Sequence, residues 1–142
     1  MTYHQIAYLH LASILPAFAI GTYMLVMRKG SPLHKILGRT YLLLMLATGF
    51  TTLFMSAKVG PNLLGHFGFL HLFSLYIFYS VPAAYFAARS GNISAHRWNM
   101  IGLYVGGILI AGTFAFMPGR MLHEFLSTII SLAWQPVEME VV

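Results

Sequence analysis

Apolar residues run almost unbroken through four stretches of the chain, roughly 6–27, 36–57, 66–88 and 100–117. Each is near the ~20 residues a helix needs to cross a bilayer. The runs are continuous and lack the in–out alternation of a barrel strand. The pattern therefore predicts an all-α integral membrane protein, a bundle of four transmembrane helices. Turn-forming residues punctuate the runs. Gly30-Ser31-Pro32 breaks the chain after the first, and Ser31 or Pro32 can open the second. Gly60-Pro61-Asn62 and Gly91-Asn92 are turns, Ser94 is a candidate N-cap for the fourth helix, and Pro118-Gly119 ends it. Beyond that stop, Glu124, Ser127, Thr128, Ser131 and Gln135 recur at helical spacing, opposite Phe125, Leu126, Ile129 and Ala133. The segment 121–135 is expected to be a short interfacial helix, since a fifth span would turn its polar stripe to lipid.

The chain resembles itself at a shift of about 61 residues. Leu9-His10-Leu11-Ala12-Ser13 matches Leu70-His71-Leu72-Phe73-Ser74, Arg28 matches Arg89, and Gly30 matches Gly91. With one residue inserted, His34-Lys35 matches His96-Arg97. This predicts a single membrane domain made of a two-helix hairpin used twice, about 4–57 and 66–117, the copies related by an axis along the membrane normal. His10 and His71 then share one depth and His34 and His96 another, as two separate layers.

Only 8% of residues are charged, too few to clothe a soluble surface, so lipid is the expected solvent. The net charge of +5 sits in short gaps between apolar runs and forms no basic stripe, which sets nucleic acid aside. Arg28, Lys29, Lys35, Arg39, Arg89 and Arg97 flank the first and third gaps, against Lys58 and Arg120 on the other side. This bias places the first and third loops in the cytoplasm and both termini outside. The first run has no basic n-region or small-residue cleavage site and is expected to be retained. Without cysteine there is no disulfide, thiolate site, iron–sulfur cluster or covalent haem.

Histidines inside apolar spans carry the candidate chemistry, because polar side chains there are costly. His10 and His71 are each expected about one turn inside their helices. Small residues, Ser13, Ala17 and Gly21, continue the His10 face and admit a neighbouring helix or a flat ring. Two neutral imidazoles facing each other can take both axial positions of a b-type haem. They can equally each satisfy a carbonyl on the next helix. His34 and His96 stand at the membrane edge beside Lys35 and Arg97, where haem propionates or anionic headgroups would fit. Arg120, four residues before Glu124, suits either an ion pair or an anion or quinone-headgroup contact. A histidine metal site drawing also on His4, His66 and His123 is a further alternative. Hydrolytic chemistry finds no support: Glu124, Glu138 and Glu140 are the only acidic residues and all follow the last span.

Four stretches together resemble a family of small predicted bacterial membrane proteins classed as a domain of unknown function. They are Leu33-His34-Lys35-Ile36-Leu37-Gly38-Arg39-Thr40-Tyr41, Phe67-Gly68-Phe69-Leu70-His71-Leu72-Phe73-Ser74, His96-Arg97-Trp98-Asn99-Met100 and Ala111-Gly112-Thr113-Phe114-Ala115-Phe116-Met117-Pro118-Gly119-Arg120. The resemblance covers about residues 4–125. More distantly, the arrangement is similar to dihaem transmembrane b-type cytochromes. That resemblance implies an outer haem on His10 and His71 and an inner one on His34 and His96. This chain departs in setting His34 and His96 at the very edge of their helices.

The leading expectation is thus a small membrane protein that binds haem b and transfers electrons, with quinone as a candidate reactant. If it is an enzyme, it is a membrane oxidoreductase. A redox partner, a larger membrane complex or a second copy of the chain would be its protein partners. The alternatives are a non-catalytic accessory or anchor subunit with structural histidines, and a histidine-lined carrier of metal or small solute.

Overall fold

The computed structural model describes residues 2–56, 62–63 and 65–134. Four helical runs among them are long and apolar enough to cross a membrane: Tyr3–Val26, Pro32–Leu53, His71–Arg89 and Ile93–Phe116. The first three are α1, α2 and α3. The fourth is composite. It begins as α4 (Ile93–Gly102), widens into a π-helical stretch (Leu103–Ile110), makes one α turn, α5 (Ala111–Thr113), and tightens into a 3₁₀ turn at Phe114–Phe116. The helix α6 (Met121–Ala133) follows.

The two basic loops are built alike. After α1, Gly30 takes a φ of +80°, a conformation that glycine alone adopts freely. Ser31 then caps α2, its Oγ accepting from the His34 N–H at 3.1 Å, with Pro32 as the first helical residue. After α3, Gly91 takes a φ of +76°, and the Asn92 side chain caps α4 by accepting from the Ala95 N–H at 3.0 Å. The cap therefore lies two residues before the expected Ser94, because the Asn92 amide oxygen reaches the orphan N–H first. These loops gather Arg28, Lys29, Arg89 and Arg97 at one end of the helices, called here the basic end.

The opposite end departs most from the expected spans. The third helix starts at His71 rather than at residue 66. Gly65 has a φ of +70°, and Asn62–Leu63 pairs antiparallel with Phe67–Gly68, which holds this segment out of the helix. His71 is consequently the first residue of α3, whereas His10 lies two turns inside α1. The turn expected at Gly60-Pro61, and Lys58 with it, lie outside the described residues.

The described residues up to Ala111 form one compact unit and those from Gly112 on a second. In the first, α1 packs along α2, α2 along α3 and α3 along α4, and the π stretch returns against α3 and α1. The helices so form a closed ring about a core in which Tyr41, Met45 and Leu103 are fully buried. Glycines set the closest approaches. A Cβ at Gly21 would stand 2.6 Å from the Tyr104 ring, and one at Gly107 2.8 Å from the Met45 methyl. The outward surface is as apolar as the core: Tyr79 is 72% and Leu43 67% exposed, which is stable only against lipid. In the second unit, Gly119 (φ +79°) separates the 3₁₀ turn from α6. At thirteen residues α6 is too short to span. Its Ser127 and Thr128 hydroxyls both donate to the Glu124 carbonyl, a way of satisfying polar side chains without water.

Candidate functional site

The basic end brings two of the expected histidines together. His34 is the third residue of α2 and His96 the fourth of α4. Their ring centres stand 6.5 Å apart with planes at 83°. His96 is oriented by α3: its Nδ1 lies 2.9 Å from the Ala84 carbonyl oxygen. A carbonyl can only accept, so Nδ1 carries the proton and Nε2 of the neutral ring presents a lone pair. That is how a metal-binding histidine is held by its surroundings. His34 Nδ1 is buried and has no partner among the described residues. Lys35 and Arg97, next in sequence to the two rings, are exposed.

At the opposite end the rings are bonded differently. His10 Nδ1 lies 3.2 Å from both Thr51 Oγ1 and Thr52 Oγ1 on α2. Both hydroxyls give their own protons to helix carbonyls, Thr51 to Ala47 and Thr48 and Thr52 to Thr48. His10 Nδ1 is therefore the donor. Ser13, one turn on, donates to the His10 carbonyl and accepts from Thr48, which extends a polar seam between α1 and α2.

His71 is buried, and its Nδ1 accepts from the Gly68 N–H at 3.1 Å. The proton of the neutral ring is then on Nε2, which is buried without a partner among the described residues. His66 packs against His71 at 5.7 Å between ring centres. Its Nε2 donates to the Leu53 carbonyl at the end of α2, and its Nδ1 accepts from Ser56. The bonds described at His10 and His71 thus lead to different partners. Among the described residues, no three histidines or carboxylates gather within reach of one metal ion. Arg120 belongs to the second unit, where its carbonyl accepts from the Glu124 N–H at 3.0 Å.

These bonds decide how the rings suit an iron. A metal–imidazole bond of about 2 Å on each side, plus the two ring radii, sets opposed imidazoles on the order of 6 Å apart between centres. His34 and His96 match that spacing, and His96 is in the right tautomer. In the tautomer described, His71 offers a proton where iron needs an electron pair. Its Nε2–H suits an acceptor instead. Thr48, Thr51 and Thr52 were absent from the sequence-derived candidates. Three threonines within five residues of an otherwise apolar run were the available signal.

Residues 7–136 match the family described as Predicted membrane protein (DUF2306). No curated protein and no solved structure matches the chain.

Proposed function

The chain belongs to this family of predicted membrane proteins, and from that premise we propose that it is a small b-type haem protein that transfers electrons at one face of the membrane. The observation that carries the reading is the pair His34 and His96, whose ring centres stand 6.5 Å apart, with the His96 tautomer set by the Ala84 carbonyl. His34 and His96 would hold the haem. Lys35 and Arg97, at the rim beside them, would neutralise the propionates. When bound, the haem supplies one-electron chemistry. The chain's part is to fix both imidazoles, to exclude water with the apolar core beneath them, and to offer cations at the rim. The basic end would face the cytoplasm, and quinone would be a candidate reactant.

Protein purified in mild detergent from haem-replete cells should show the Soret and reduced α bands of six-coordinate haem b. His34→Ala and His96→Ala should each abolish most of that signal. The double variant should lose little more, since one ligand set is destroyed either way. His10→Ala and His71→Ala should keep the colour. A folded but colourless wild-type protein would overturn the reading.

A second reading, an accessory or anchor subunit with structural histidines, is favoured by a different observation. His10, His66 and His71 are each bonded to nearby protein groups, as structural histidines are. It predicts modest, roughly additive stability losses from the His10 and His71 variants, on the order of 1 kcal/mol each.

A further inference from the structure

A groove of about 530 Å³ runs along the lipid-facing seam between α2 and α3. Its walls are apolar, with Leu42, Leu43 and Leu46 on one side and Phe78, Val81 and Pro82 on the other. At 1.5 Å per residue, Leu46 to Arg39 spans on the order of 10 Å along α2. The end nearer the basic loops is different in kind. Arg39 and Tyr85 line it. One turn beyond, Arg89 donates through Nη1 to the Tyr85 hydroxyl at 3.4 Å, and its guanidinium carbon lies 6.0 Å from the Tyr85 ring centre.

These cations have no side-chain counter-ion in their own unit. The chain's carboxylates, Glu124, Glu138 and Glu140, all lie beyond residue 111. An arginine seven residues inside a span is costly unless an anion meets it near the interface. A second copy of the chain laid on this face would bring arginine towards arginine. The anion that every membrane supplies at this depth is a lipid headgroup.

We propose that the α2–α3 groove is a binding site for one anionic phospholipid. Its phosphate is held by Arg39, Arg89 and the Tyr85 hydroxyl, and one acyl chain lies along Leu42, Leu46 and Val81. Guanidinium groups pair with phosphate oxygens in two-pronged fashion, which lysines at the same positions would not reproduce. The site is independent of the haem reading and needs neither His34 nor His96.

The test is native mass spectrometry of the full chain released from mild detergent, with phosphatidylglycerol and phosphatidylethanolamine added in equal amounts. One bound phosphatidylglycerol is expected, retained at least tenfold better than phosphatidylethanolamine. The double variant R39Q/R89Q should erase that preference, while R39K/R89K should restore only part of it. Leu46→Trp, which fills the groove and leaves both arginines, should also weaken binding. Inorganic phosphate should not compete, because the acyl chain contributes. Equal retention of the two lipids would overturn the proposal. So would full retention by R39Q/R89Q with an unchanged helical circular-dichroism melt, competition by phosphate alone, or a stable dimer that shields Leu43 from a spin-label quencher.

Discussion

The hydroxyl of Tyr104 ties the second hairpin to the first. It lies 2.7 Å from Thr22 Oγ1, and Thr22 spends its own proton on the Phe18 carbonyl, so Tyr104 is the donor. The ring also stacks on Phe18 at 6.2 Å and lies over Gly21. Hydrogen bonds between membrane helices contribute about 0.6 kcal/mol on average and up to about 1.7. Tyr104→Phe should cost about that much, measured by unfolding in mixed micelles. Gly21→Val should cost more, about 1–3 kcal/mol, because its Cβ would overlap the Tyr104 ring. The sequence marked Gly21 as a place of close approach but not what approaches it. A tyrosine inside an apolar run carries no local sign of a partner 82 residues away. The histidines divide in the same way. That His34 and His96 would stand at one end of the bundle was legible from the repeat, whereas His10 and His71 take different positions along their helices. Which ring nitrogen holds the proton was not legible, because that depends on Ala84, Gly68, Thr51 and Thr52, groups that only folding brings near.

Among the elements, the fourth helix is where local pattern says least. Leu103–Ile110 reads as an ordinary apolar helix with two adjacent glycines, yet it is π-helical. Bonds to the fifth residue instead of the fourth leave no trace in a segment that is apolar all round, whereas π segments frequently mark functional sites. The widening gives its adjacent glycines different surroundings. A Cβ at Gly107 would meet Met45 at 2.8 Å, but one at Gly106 would make ordinary contact with Tyr76 at 3.6 Å. Gly107→Ala should therefore destabilise by about 1–3 kcal/mol. Gly106→Ala should be neutral or stabilise by up to about 1 kcal/mol, since glycine is a poor helix residue. Thermal unfolding of both in one detergent is the check, and equal effects would contradict the described packing. The caps show the opposite case. Ser31-Pro32 was readable because capping chemistry is local. The start of α3 was not, because strand pairing across Gly65 holds Phe67–Gly68 out of a run whose composition alone would continue the helix.

For the whole molecule, the fourfold apolar pattern was enough to predict four spans, since chain length and bilayer thickness leave few other solutions. Which spans neighbour which was not readable from it, and the closed ring of helices is a product of tertiary packing. The clustering of cations in the loops after α1 and α3 predicts orientation. A reporter inserted between Arg89 and Arg97 should be active only in the cytoplasm, and one fused after Val142 only outside. The reverse result would invert every statement about which face the basic end meets. The depth of the His34–His96 pair has an electrical consequence on either orientation. Both residues lie within about one helical turn, ~5.4 Å, of their helix starts, a small share of a ~30 Å hydrocarbon layer. Carrying a charge through the full membrane voltage is worth about 2.3 kcal/mol per 100 mV, but only the fraction of the field traversed counts. A charge that reaches this pair from the basic end is nearly voltage-neutral. If haem is held there as proposed, its midpoint potential in sealed vesicles should stay the same when an ionophore collapses the voltage, and any transfer to the far face would need a second station to bear the electrical work.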